Sequence, residues 1–97
     1  MNVLITAATS AEAHRLKNQL SADNVILGDY HEMPAFMQIL KLPNPASLSY
    51  AHEMLTLCLD KEIGGVYALH KEEQNLLSEA KQLFAEYGII VYDNGNK

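Results

Sequence analysis

Apolar residues along this chain fall into five short, nearly unbroken runs, separated by longer stretches in which they recur every three or four positions. The first kind suits strands of a parallel sheet covered on both faces, the second amphipathic helices. "NVLIT" (2–6) has no polar alternation and reads as the central strand. From Ser10 to Leu20 the stripe Ala13, Leu16, Leu20 opposes Arg15, Lys17, Asn18 and Gln19, which predicts a helix. "NVILGDY" (24–30) is a second strand, and "MPAFMQIL" a short helical piece with Pro34 at a first helical position. Pro43 and Pro45 confine a third strand, Leu40 to Leu42, to a sheet edge.

From Ser47 or Ser49 to Asp60, the stripe Ala51, Met54, Leu55, Cys58, Leu59 predicts a helix with a serine cap. "GGVYALH" (64–70) is the fourth strand. "KEEQNLLSEAKQLFAEYG" (71–88) reads as one helix with Leu76, Leu77, Ala80, Leu83, Phe84 and Tyr87 inward. Glu72 and Glu73 suit the dipole of its first turn, and Gly88 stops it. "IIVYD" (89–93) is the fifth strand, before a frayed "NGNK". This alternation predicts one domain over 1–97, an α/β three-layer sandwich around a five-stranded parallel Rossmann-like sheet of order 3-2-1-4-5. Ligands approach such sheets at the carboxyl ends of the strands, so the segments 6–10, 29–32 and 69–73 should gather at the functional rim.

Twelve acidic against seven basic residues give a formal charge of -5, which repels a phosphate backbone; nucleic acid is not an expected partner. No apolar run approaches the length of a membrane span, so a membrane is not expected either. A single cysteine excludes an internal disulfide, the N-terminus lacks a signal-peptide pattern, and the cytoplasm is the expected compartment.

The stretch "TAATSAE" (6–12) occupies the place of a phosphate loop. A G-x-G-x-x-G loop would need glycine at Ala7, Thr9 and Glu12, and Glu12 would set a carboxylate where the pyrophosphate charge must go. No P-loop G-K-[ST] follows. Thr9-x-x-Glu12 instead has the spacing of a capping box, with a weak anion site from the Thr6, Thr9 and Ser10 hydroxyls as the alternative.

Four histidines invite a metal reading, but "HEMPA" and "HEMLT" carry Ala35 and Thr56 where H-E-x-x-H needs its second histidine, so no metal site is expected. His14 and His52 fall on wet helix sides. His31 and His70 fall just past strand ends and, with Asp29, could form a polar cluster on the rim; Asp29 reads equally as a turn residue after Gly28 or as an acid for a ribose hydroxyl. Cys58, on an apolar stripe, reads as a buried small hydrophobe. A phospho-receiver domain would need acids where Thr6-Ala7-Ala8 and Leu42-Pro43-Asn44 stand.

Together, "VLITAATS", "VILGDYHEMPA", "KLPNP", "SYAHEMLTLCLDKEIGGVYAL" and "EEQNLLSEAKQLFAEYGIIVYDN" resemble, over nearly the whole chain, the N-terminal domain that precedes the ATP-grasp fold in carbamoyl-phosphate-synthase-like proteins. The shared features are the small-residue turn Thr6-Ala7-Ala8, Gly28-Asp29 followed by Pro34-Ala35, and Tyr50 ahead of Leu55-Thr56-Leu57-Cys58. Of the family's Pro-x-x-Asp-x-Glu-Leu after strand four, held here by Ala68, Lys71, Glu73 and Gln74, only the glutamate matches. The loop after strand one lacks the family's glycine or arginine.

The resemblance implies a pre-ATP-grasp lobe that lines a substrate pocket while ATP and magnesium are held by later lobes this chain does not include. The expected role is a binding or interaction subunit that is not catalytic alone and has no cofactor of its own, completing a separately encoded ATP-grasp ligase. The alternatives are a small-ligand or nucleotide-binding module, and a diverged domain that self-associates into a homo-oligomer. The rim residues expected to carry a ligand are Thr6, Thr9, Ser10, Asp29, His31, His70 and Glu73.

Overall fold

Val3, Leu4 and Ile5 are all buried because β1 (Asn2–Ile5) lies in the middle of the sheet, with parallel neighbours on both sides. The computed structural model describes residues 2–20, 24–34 and 37–92. They contain α1 (Ala11–Gln19), β2 (Asn24–Asp29), β3 (Leu40–Lys41), α2 (Tyr50–Asp60), β4 (Ile63–Tyr67), α3 (Lys71–Glu79), α4 (Lys81–Glu86) and β5 (Ile90–Tyr92). The five strands form one parallel sheet of order β3-β2-β1-β4-β5, an α/β Rossmann-like architecture. No helix among the described residues is long and apolar enough to cross a membrane.

Strand alternation divides the core in two. Leu4 and Val66 point to one side, where Tyr50, Met54, Leu55 and Cys58 of α2, Leu77 of α3 and Phe84 of α4 complete a large buried cluster. Val3 and Ile5 point to the other, where Ala13 of α1 is fully buried and Leu16 and Leu20 pack beside it. Gly28 lets the edge strand come close: a Cβ there would stand 2.9 Å from Leu42 Cδ2 and 3.0 Å from Leu4 Cδ1.

Gly88, at φ +79°, ends α4 as expected. Its amide donates to the Ala85 carbonyl and that of Ile89 to Phe84, both at 3.0 Å, which is the Schellman pattern; Phe84 and Ile89 also share the large cluster. A less favourable stop closes α2, where Glu62 takes the left-handed conformation at φ +56° and Asn2 Nδ2 donates to the carbonyls of Lys61 and Glu62.

Several expectations are corrected. The segment 71–88 is two helices meeting at Ala80 (ψ 8°), and the bend keeps Leu77 and Phe84 in one core. Tyr87 is exposed because it caps α4 and leaves the helical phase; Leu59, near the end of α2, is exposed too. In the short piece expected after Pro34, Met37 is 3₁₀-helical and its amide donates to the Pro34 carbonyl at 3.1 Å, while Ala35 and Phe36 lie outside the described residues. The fourth strand spans Ile63–Tyr67 and ends before Ala68, so that 68–70 form the turn into α3. Asp93 and "NGNK" lie outside the described residues.

Candidate functional site

The loop after β1 is closed by its own hydrogen bonds. Thr6 is fully buried; its amide donates to the Tyr67 carbonyl at 3.0 Å and its hydroxyl accepts from the Leu69 amide at 2.8 Å, which ties β1 to the end of β4. The Ala8 amide donates to the Gly28 carbonyl, and that of Ser10 to Ala7. Ala7 pays for this path with a left-handed backbone, φ +55°, at the first position where a dinucleotide loop carries glycine.

The helix cap is Ser10, not Thr9. Ser10 Oγ accepts from the Ala13 amide at 3.1 Å, so the residue at the third helical position is Ala13 and the box with Glu12 does not form. Thr9 is exposed. The Thr6, Ala8 and Ser10 amides are engaged in this closure, and the Thr6 and Ser10 hydroxyls each accept a backbone amide while keeping their own proton to donate. The expected serine cap of α2 also differs: the Ser49 side chain makes no bond to the helix backbone and its hydroxyl donates to Glu53 Oε2 at 2.6 Å.

The polar residues that do converge are Thr6, Asp29, His31, His70 and Glu73, from the ends of β1, β2 and β4 and the first turn of α3. Asp29 is 2% exposed. Its Oδ1 accepts from the His31 amide at 2.9 Å and lies 2.8 Å from His31 Nδ1, while its Oδ2 is 3.9 Å from His70 Nε2. A carboxylate can only accept, so His31 Nδ1 carries the shared proton. Burial would raise the Asp29 carboxyl, but the hydrogen bonds from the His31 amide and ring, with the charges of His31 and His70, outweigh it and hold the group below its ordinary value.

Tyr30 organises the two imidazoles. Its ring stacks on His31 with centroids 4.2 Å apart and meets His70 at 5.1 Å. His70 Nε2 is buried and has no hydrogen-bond partner among the described residues. One donor atom from each of Asp29, His31 and His70 lies within 4.8 Å of the others. The local spacings gave no metal motif, whereas folding brings two histidines and a carboxylate together from separate strand ends.

Glu73 lies deeper and is fully buried. Its Oε2 accepts from the Tyr50 hydroxyl at 2.8 Å, and its Oε1 has no hydrogen-bond partner among the described residues. Burial pushes this carboxyl up, against the Tyr50 hydrogen bond and the nearby Thr6 hydroxyl and His70, with Asp29 adding to the rise. The Tyr50 phenol is pushed up by the same burial and by the Glu73 charge. The two carboxyls of the site are therefore shifted in opposite directions.

Cys58 is fully buried and burial pushes its thiol up to about 12, which suits a packing residue and not a nucleophile. His14 and His52 are exposed on their helices. A recess of about 390 Å³ between α2 and the α3–α4 bend, lined by Leu48, Ala51, Leu76 and Leu83 among others, lies apart from the rim and shares only Tyr50 with this site.

Tyr30 and Tyr50 were not among the expected site residues. Tyr30 could have been found from its place between Asp29 and His31 on the same rim; nothing local pairs Tyr50 with Glu73. Comparison with protein-family models gives no match for this chain, and neither does comparison with curated proteins.

Proposed function

We propose that this chain is a binding module that takes a small polar ligand at the carboxyl-terminal rim of its sheet, above the junction of β1 and β4. One observation carries the reading: Asp29, His31 and His70 converge there above a buried Glu73, with the Nε2 of His70 and Oε1 of Glu73 left without hydrogen-bond partners among the described residues. Unsatisfied buried polar atoms are uncommon and concentrate where a ligand or ordered water completes the bonding.

The chemistry favours a particular class. Acceptors dominate the cluster, the Thr6, Ala8 and Ser10 amides of the loop are engaged, and the chain carries a net charge of -5. The ligand is one that brings donors or positive charge, such as an amine, a polyol or a ribose, and a nucleotide would be held through its sugar and not its phosphates. Thermal unfolding in a millimolar panel of amino acids, amines, nucleosides and nucleotides tests this, since a ligand of the native state raises its apparent stability. The expected result is a rise in Tm for at least one member that His31→Ala removes. A flat response across the panel sinks the reading.

A second reading is the pre-ATP-grasp-like lobe that completes a separately encoded ligase, which would bring ATP and magnesium. It is favoured by the β4–β5 half of the α1 side, where Ile90 is 47% exposed and Tyr67 and Tyr92 stack with centroids 4.2 Å apart. An apolar strip of this kind suits a partner surface. Sedimentation with and without a candidate ATP-grasp protein tests it. A stable complex supports the partner role, a dimer of the chain alone supports self-association, and a monomer under both conditions removes both.

A further inference from the structure

The geometry points to a binding site for a zinc-type divalent cation formed by Asp29, His31 and His70. The inference rests on reading this rim as the ligand-binding end of the module and names the ligand more narrowly. Two imidazoles and one carboxylate are the donor set of three-ligand zinc sites, which keep a coordination position for water or substrate. Imidazole donors favour zinc, cobalt, nickel or copper over magnesium and calcium, which take oxygen.

The donor atoms are close to what such a cation needs. Ligand bonds of about 2.0–2.1 Å in a tetrahedron put neighbouring donors about 3.3 Å apart. The structure has 2.8 Å between Asp29 Oδ1 and His31 Nδ1, 3.9 Å between Asp29 Oδ2 and His70 Nε2, and all three donors within 4.8 Å. The first gap must open and the second close by roughly half an ångström, and His31, whose side chain is 59% exposed, has room to turn. In doing so the cation replaces the proton that His31 Nδ1 shares with Asp29.

The surroundings suit the role. The His31 amide holds Asp29 Oδ1, and Tyr30 packs on both imidazoles, so that carboxylate and rings are oriented in the way ligating groups are by their outer partners. A cation would also satisfy the buried His70 Nε2, which has no hydrogen-bond partner among the described residues.

Calorimetric titration of the full, tag-free chain with Zn²⁺, and the visible spectrum with Co²⁺, test the proposal. The expected result is one Zn²⁺ per chain, tetrahedral Co²⁺ bands, and no heat with Mg²⁺. His31→Ala and His70→Gln should each weaken Zn²⁺ binding by about tenfold or more, while the H14A/H52A double variant leaves it unchanged. Asp29→Asn is a poor first choice because Asp29 is buried and hydrogen-bonded, so the histidine variants, checked by circular dichroism, carry the test. Zn²⁺ affinity indifferent to both His31 and His70, or abolished in H14A/H52A, overturns the site. Failure of Zn²⁺ together with a His31-dependent shift by an organic ligand overturns the cation and keeps the rim reading; failure of both overturns both.

Discussion

The two sides of the sheet are built to different standards. On one side α2, α3 and α4 seal a core that includes fully buried Leu4, Tyr50, Met54, Cys58, Val66, Leu77 and Phe84. On the other a single nine-residue helix, α1, buries only Val3, Ile5 and its own Ala13 completely, while Leu16, Leu20, Val25 and Leu27 stay half-buried and Ile90 faces outward. The difference shows where the stability of the fold is concentrated. The sealed side can bury Glu73 and its Tyr50 partner, a cost only a well-packed region sustains, and the open side leaves Ile90 in solvent.

The sharpest way to break this contrast is Phe84→Ala. Removal of a fully buried ring also unseats the Schellman contact with Ile89, and the expected loss is about 3–5 kcal/mol, measured by urea unfolding. Leu16→Ala, on the open side, should cost no more than about 2 kcal/mol because the side chain is already half-exposed. Equal losses would mean that the two sides share the load evenly.

Glu73→Gln probes the sealed side from the polar end. Because burial raises its carboxyl in the folded state, the neutral form is the one the fold prefers. The contribution of Glu73 to stability is therefore fully present below its unfolded pKa and is lost as pH rises through the folded value. The amide variant, neutral throughout, should gain on the order of 1 kcal/mol at pH 7, or about 4–8 °C in Tm, and lose that advantage below about pH 4. Asp29 has the opposite sign: its lowered carboxyl contributes above the ordinary carboxylate range and loses that contribution on acidification through the folded value. A gain that persists at low pH would show that Glu73→Gln acts by packing. The smallest effect is expected for Ile90→Ser, within about 0.5 kcal/mol in the isolated chain; a larger loss there would reveal that the exposed strip is already paired in solution.

The topology was legible because the apolar runs and helical stripes leave few arrangements for five parallel strands. The helix stop at Gly88 was equally plain, since a left-handed terminus favours glycine. Ser10 and Thr9 were harder to separate: both are good caps one residue apart, and the choice turned on how Ala7 and Ala8 close the loop onto β2. The break at Ala80 had no breaker residue to announce it. Of the site, Asp29, His31, His70 and Glu73 were placed on the rim by counting strand ends, whereas Thr9 and Ser10 were not brought into the cluster.

The order of strands follows from the alternation of strands with helices and the right-handed crossovers this imposes, and the burial of Cys58 and the wet positions of His14 and His52 follow from periodicity, which records which way each side chain faces along its own element. Periodicity carries no information about which residues from different elements meet. That His70 Nε2 points at Asp29, that Tyr50 donates to Glu73, and that Tyr30 braces two imidazoles were decided by the packing of β2, β4, α2 and α3 against one another. Those meetings depend on angles and distances between elements, and they turned a scatter of polar loop residues into a site with two oppositely shifted carboxyls.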